Sequence, residues 1–419
     1  MEGMPWNVRI RLSVMMFLQY MMFAVFWVPL SRYLEQLGVN KLYTALIMST
    51  MPLGCLIAPV VCMIADRHFS SQKVLIVLNV ACAGLLFLAA GQTNPPVLFT
   101  LLLLGTLCYM PTWGITNGIA MTHSPSEKFP QIRVFGSIGW VASAVFGLVA
   151  SLELFGGRVI EDTAIPLYCG AGTALVAAMI NLTLPDTPPP AKGKESSVVD
   201  ALGLRALTLL KDPKFAMFIV ISMLVMIPFT MYFSFGSRFF GSQGYDQITA
   251  RMNLGQVSEM LVMLLVPMAL LRLGAKWTMA LGLAALLVRY VAFWAGGACG
   301  LPGLYYVAIL VHGVIYGCFF VGGQVYVDKK APPEIRAQAQ GLIVLICFGV
   351  GMLVATFFNA WLIDVYTTGE AMIKGVMEKT YNWDMIWIIM VAMSAVLLGV
   401  FCVFFWDDVS KKSKAQADV

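Results

Sequence analysis

Charge is what this chain has least of. Only 12% of its 419 residues are Asp, Glu, Lys or Arg, while 59% are hydrophobic, whereas a soluble domain is about a quarter charged. That scarcity excludes an ordinary soluble enzyme and points to an all-α membrane protein. Histidine is also scarce: His68, His123 and His312 lie in three different segments, so no Ser/His or metal-ligating constellation is assembled. The nine cysteines are scattered singly without a CxxC pair, which reads as packing. No glycine-rich phosphate loop is present for ATP-driven work. These absences predict no catalytic centre, no metal and no cofactor.

What the chain does have is apolar windows of about 20 residues, the length that crosses a hydrocarbon core of roughly 30 Å as a helix. Twelve occur, near 12–34, 43–65, 73–91, 96–117, 132–154, 165–184, 215–236, 248–271, 276–296, 302–326, 336–362 and 384–406. The first is longer than a secretory apolar region and is followed by Pro29, Leu30, Ser31 and Arg32 in place of a small-residue cleavage site, so it is expected to stay as a span. Basic residues set the orientation. With both termini cytoplasmic, 19 of the 27 Lys and Arg fall in cytoplasmic segments, 7 in external loops, and Arg289 inside a span, which is the positive-inside pattern. The net charge of +5 then reflects topology, and no nucleic-acid partner is expected.

The most polar stretch, 185–214, opens on Asp186-Thr187-Pro188-Pro189-Pro190 and reads as an exposed linker. Val199, Leu202, Ala206 and Leu209 recur at helical spacing within it and predict a short amphipathic helix on the cytoplasmic face. The predicted organisation is a bundle of six helices over 1–184, this linker, a second bundle over 215–406 and a cytoplasmic tail over 407–419. A weak repeat supports two bundles: Pro130-Gln131-Ile132-Arg133 matches Pro333-Glu334-Ile335-Arg336 at an offset of 203, and the same offset carries Lys73 onto Lys276. Repeats of six spans are how many secondary transporters are built, with substrate near the bilayer midplane.

Inside this apolar frame, Glu259 stands out, with Gln256 and Asn253 before it at spacings of three. An acid at the centre of a span costs about 2.5–3.5 kcal/mol on insertion scales and usually faces a partner or a wet cavity. Two readings stand: a transport-site carboxylate, or a structural ion pair with Arg289 on the neighbouring span.

The loop Ala65-Asp66-Arg67-His68-Phe69-Ser70-Ser71-Gln72-Lys73 resembles the G-x-x-x-D-R-x-G-R-K signature of the major facilitator superfamily, with Cys62 at the leading glycine and the second glycine missing. By that resemblance Asp66 and Arg67 form a gating motif that engages neighbouring helix ends. Further stretches resemble the nucleoside:proton symporter family of that superfamily: Phe17-Leu18-Gln19-Tyr20, Tyr109-Met110-Pro111-Thr112 with Asn117, Phe129 to Trp140, Leu182-Thr183-Leu184-Pro185, Gln256-Val257-Ser258-Glu259 and Glu334 to Gly341. The resemblance implies a major facilitator fold of twelve helices in two pseudo-symmetric bundles. It further implies that Arg133, Ser137 and Trp140 face the nucleoside from the N-terminal half and Gln256 and Glu259 from the C-terminal half. His312 and Tyr316 fall where the family places aromatic contacts. One departure matters: the family commonly has an aspartate where this chain has Gly317, so proton coupling rests on Glu259 or is lost.

Spacing agrees with shared faces, since Arg133, Ser137 and Trp140 form one helical stripe, Gln256 with Glu259 a second, and His312 with Tyr316 a third. Other readings stay open. Arg133 is only three residues past Pro130, which places it near the cytoplasmic end as a gate charge unless Ser124 and Glu127 start the helix earlier as a capping box, with Pro130 then straining it. His312 is a titrating group or a packed histidine. Trp140 and Tyr316 are core aromatics or a stacking platform. Gln19, Gln324, Gln340 and Asn359 read as helix-to-helix hydrogen bonds. The expectation is a monomeric plasma-membrane (inner-membrane) permease taking up nucleosides with protons. The rivals are a permease of the same fold for a sugar, glycoside or peptidoglycan fragment, and a non-transporting membrane sensor.

Overall fold

The computed structural model describes residues 4–151, 160, 163–192, 205–245, 248–373 and 376–407. Among these, ten helices are long and apolar enough to cross a membrane. Ile248–Ala298 is two helices joined at Gly274, whose φ of 75° breaks the helical course, and Ile165–Asn181 is a shorter apolar helix. Among the described residues, each of the twelve sequence windows lies mostly on helix, and the spans below are numbered by those windows.

Local chemistry explains where the helices begin. Asn40, Asn94, Asp212 and Asn382 each accept a backbone N–H of the first turn they precede, satisfying donors that a helix start leaves orphaned. Pro95, Pro130, Pro166 and Pro213 occupy first-turn positions, where the missing N–H costs nothing. Pro130 is thus compatible with its helix: a short 3-10 turn covers Ser126–Lys128 and the α-helix starts at Phe129, so the strain foreseen from an earlier start does not arise.

The chain divides into two compact units, Met1–Leu209 with Val327–Leu345, and Leu210–Tyr326 with Ile346–Val419. This differs from a division at the linker alone, because a segment from the second half of the sequence packs in the first unit. Specific contacts hold it there. Asn117 Nδ2 donates to Gln340 Oε1 at 3.4 Å, Lys329 pairs with Glu127, and a Cβ on Gly114 would lie 2.9 Å from the backbone N of Gly341, so the two helices meet through glycine. Buried amides tie helices together as read from the sequence: Gln19 bonds Asn79 and Thr112, and Asn359 donates to the Ile227 carbonyl and Thr230.

The start of the linker is bound, contrary to its exposed reading. Thr187 N–H donates to Gln72 Oε1 at 3.0 Å, Ser71 N–H to the Thr187 carbonyl at 3.0 Å, and Ala191 N–H to the Asp66 carbonyl at 2.9 Å. Backbone groups of this stretch are spent on the helix ends, while the side chains of Asp186, Pro188, Pro190 and Lys192 stay exposed. Residues 193–204 lie outside the described residues, and with them Val199 and Leu202 of the foreseen amphipathic helix; Arg205–Lys211 is a 3-10 helix. Of the tail, 408–419 also lie outside, while Asp407 Oδ2 accepts the N–H of Ala275 at 3.0 Å. One further departure from an all-helical chain is an antiparallel hairpin of Thr367–Ile373 with Val376–Tyr381.

Candidate functional site

In the first unit, Arg133 rises from the second turn of its helix and is only 2% exposed. Its guanidinium carbon stands 4.0 Å from the centroid of the Tyr20 ring, a cation–π arrangement worth about 2 kcal/mol when desolvated. Gly136 makes room for it, since a Cβ there would lie 2.6 Å from Arg133 Nη1 and 2.8 Å from Tyr20 Cδ2. Tyr20 stacks on Trp113 at 5.3 Å, Trp113 meets Tyr109 edge-on at 6.3 Å, Tyr109 stacks on Phe23 at 4.4 Å, and Phe23 reaches Trp140 at 6.3 Å. A continuous run of rings therefore links Arg133 to Trp140, with Ser137 buried on the same helix. Position near a helix start had suggested a shallow gate charge, but burial against the first span makes Arg133 part of an aromatic cluster.

In the second unit, Glu259 and His312 come together. They are 4% and 1% exposed, and His312 Nε2 lies 3.3 Å from Glu259 Oε2. Two glycines produce the encounter. A Cβ on Gly255 would lie 3.2 Å from His312 Cβ, and one on Gly313 would lie 2.6 Å from Glu259 N and closer still to the Ser258 carbonyl. Span eight and span ten thus touch backbone to backbone. Phe229 stacks on the imidazole at 5.8 Å, Phe233 meets it edge-on at 5.3 Å, and Tyr316 lies 6.3 Å away. Gln256 is half-buried one turn before Glu259. Tyr316 lies in a π-helical stretch, Ile315–Val321, the kind of local irregularity that recurs at functional sites.

The ion pair with Arg289 is not what forms. Arg289 donates Nε–H to the Ala308 carbonyl at 3.2 Å and lies 4.5 Å from the Tyr232 centroid; span eight's carboxylate is instead met by the imidazole of span ten.

Asp66 and Arg67, expected from the resemblance to form a gating motif, are both buried. Asp66 Oδ2 accepts the N–H of Gln338 at 2.8 Å and Oδ1 that of Ala337 at 3.3 Å, so the carboxylate sits at the start of helix Arg336–Val344, where the helix dipole favours negative charge. Arg67 is buried beside it at 6% exposure. Glu127 lies outside the spans; burial raises its pKa, but the hydrogen bond and charge of Lys329 outweigh that and hold it below the usual carboxylate value. A depressed pKa means the pair stabilises above the ordinary carboxylate range and is lost as pH falls. Lowering pH from about 7 to about 4 should therefore cost the wild type about 1 kcal/mol or less. Glu127→Gln should lack that component, as read by melting temperature at both pH values.

The profile of the family described as nucleoside H+ symporter matches residues 6–410. The chain belongs to the nucleoside H+ symporter family. YegT of Escherichia coli (strain K12) is 36% identical over 415 residues, covering 97% of this chain and 96% of that protein. Xanthosine permease of the same organism is 27% identical, covering 94% and 95%. Among solved structures, the nucleoside transporter NupG superimposes with a TM-score of 0.64 at 27% identity, over 96% of this chain and all of that one. The fucose:proton symporter FucP, at 13% identity, reaches 0.72 over 95% and 98%, which marks the fold alone as that of the major facilitator superfamily.

In this member of the family, Gly317 is informative. A Cβ at 317 would meet Val266 Cγ2 at 3.0 Å and Val262 Cγ1 at 3.4 Å. The wall facing the missing aspartate is apolar. Phe229, Tyr232 and Phe233 escaped the sequence reading, because in an apolar span aromatic side chains carry no periodic signal that separates a site from lipid-facing packing. The one hint was Pro228, inside the seventh span, next to Phe229.

Proposed function

We propose that this chain takes up nucleosides together with protons by alternating access, with Glu259 as the coupling carboxylate. The observation that carries this reading is the Glu259–His312 pair, 3.3 Å apart and almost wholly buried in a family of proton symporters. Ionisable groups buried in a span are costly and usually functional. As a carboxylate, Glu259 accepts hydrogen bonds, which suits a ribose diol; as an acid it donates, so proton and substrate occupancy affect each other. His312 and Tyr316 add an aromatic face, Gln256 an amide, and Arg133 with Ser137, Tyr20, Trp113 and Trp140 a basic and aromatic surface suited to a nucleobase. Asp66 and Arg67 are assigned to the gate, at the helix start that Asp66 engages.

The positive-inside distribution supports a multi-pass membrane protein with both termini cytoplasmic, and as part of the same proposal it sits in the plasma (inner) membrane as a monomer. The test is uptake of radiolabelled uridine and adenosine into membrane vesicles with and without an imposed pH gradient. Uptake that rises with inward proton flow supports the reading; uptake of a glycoside in place of either nucleoside overturns it. Arg133→Lys keeps the charge but loses the planar guanidinium with its fork of donors, and is expected to weaken the apparent affinity for nucleoside about ten-fold, the loss of about 1–2 kcal/mol for one contact of that group with the base. An unchanged KM would return Arg133 to a purely structural role.

A further inference from the structure

The second unit holds more proton chemistry than a single carboxylate needs. In the Glu259–His312 contact the carboxylate can only accept, so Nε2 carries the hydrogen and Nδ1 is left as a lone-pair acceptor. Nδ1 is buried and has no hydrogen-bond partner among the described residues. A histidine kept for packing satisfies both nitrogens as a rule; this one has half its capacity in reserve. Around it stand Glu259 on span eight, Arg289 on span nine, Tyr232 on span seven and Tyr316 on its own helix, while the Tyr290 hydroxyl is engaged by the Pro228 carbonyl.

We propose that Glu259 and His312 act as one proton-carrying pair. The inference rests on the symport reading above and extends it by assigning the second member of the coupling site. A proton arriving from the external solution forms a bond to Nδ1. The Nε2–H bond then breaks and that hydrogen moves to Glu259 Oε2. The product is a neutral carboxylic acid beside a neutral imidazole that now carries its hydrogen on Nδ1. One proton has entered, none has left, and the pair has gone from one negative charge to none; release on the cytoplasmic side runs the same steps backwards. Arg289 confines the pair to a single proton. Its guanidinium is permanently charged and acts electrostatically on His312, so a second proton would set like charges side by side in a desolvated volume.

The test compares His312→Gln and His312→Asn with wild type, as full chains in proteoliposomes given radiolabelled uridine. Glutamine places an N–H near the Nε2 position, and so still reaches Glu259, but cannot pass a proton from one side of the ring to the other. Asparagine mimics the Nδ1 position and loses Glu259. In both variants accumulation driven by an inward proton gradient should fall at least about ten-fold more than uridine exchange at equal pH, the size of a typical coupling free energy. The pH dependence of accumulation should flatten in both. Wild-type accumulation and pH profile in H312Q would overturn the proposal. So would an equal loss of exchange and accumulation in a variant that melts like wild type, since His312 would then be a binding group only. A variant-independent measurement uses nitrogen-15 histidine spectra of an H68Q/H123Q chain, in which His312 is the histidine that remains. Nδ1 should change from acceptor to N–H character as the sample is acidified, and an unchanged spectrum overturns the pair. Failure of the wild type to take up uridine at all would remove the symport reading itself, an outcome distinct from those seen only in the variants.

Discussion

Glu259→Gln is expected to abolish concentration of nucleoside against its gradient. Glutamine has nearly the shape of the acid but neither accepts nor releases a proton, so the variant is fixed in one member of the two states that coupling needs. Accumulation in a pH gradient should drop by about ten-fold or more relative to exchange, within the range of measured coupling free energies. Exchange should itself slow, because the neutral amide presents one acceptor oxygen and an NH2 where the carboxylate presents two acceptors to His312 and to substrate. The check is the ratio of gradient-driven accumulation to counterflow in the same vesicles. Unchanged uphill uptake in E259Q would remove Glu259 from the mechanism and leave its burial as a structural fact without a transport role.

The second large effect is expected from a single methyl group. Gly313→Ala puts a Cβ 2.6 Å from Glu259 N and closer still to the Ser258 carbonyl. Those are backbone atoms in the middle of a span, which no rotamer change can move aside. Spans eight and ten must separate, at a cost of about 1–3 kcal/mol or more for overpacking. The separation also lengthens the Glu259–His312 contact, so proton-driven accumulation should fall along with the melting temperature. Gly172→Ala is the matched control: no atom lies within 4 Å of a Cβ there, and in the interior of helix Ile165–Asn181 the change should be neutral or stabilising by up to about 1 kcal/mol. Equal melting temperatures for the two variants would show that the close approach at Gly313 is not a constraint on the fold.

These two residues illustrate how differently sequence and structure contribute. Glu259 was legible at once, because one acid in an uninterrupted apolar run carries an insertion cost that packing alone does not repay. Gly313 was invisible, since glycine is common in spans and its meaning lies in which backbone it faces. Arg289 was legible as a buried charge, yet its partner was not. Sequence distance and estimated depth made Glu259 the natural choice, whereas the structure gives it the Ala308 carbonyl and the Tyr232 ring.

The linear sequence by itself determined the membrane class, the helical windows, the family and the short set of ionisable residues worth attention. It could do so because hydropathy, charge scarcity and local motifs are properties of neighbouring residues, fixed before any helix meets another. Tertiary structure alone decided that Glu259 is paired with His312, that Arg133 is folded over Tyr20, that the first residues after the sixth span are tied down by Gln72 and Ser71, and that Asp66 holds the start of Arg336–Val344. The reason is physical. Within a span every backbone polar group is satisfied internally, so partners among helices are chosen by small residues that permit close approach and by a few polar side chains that must find one another, and neither constraint is written in the order of residues along one helix.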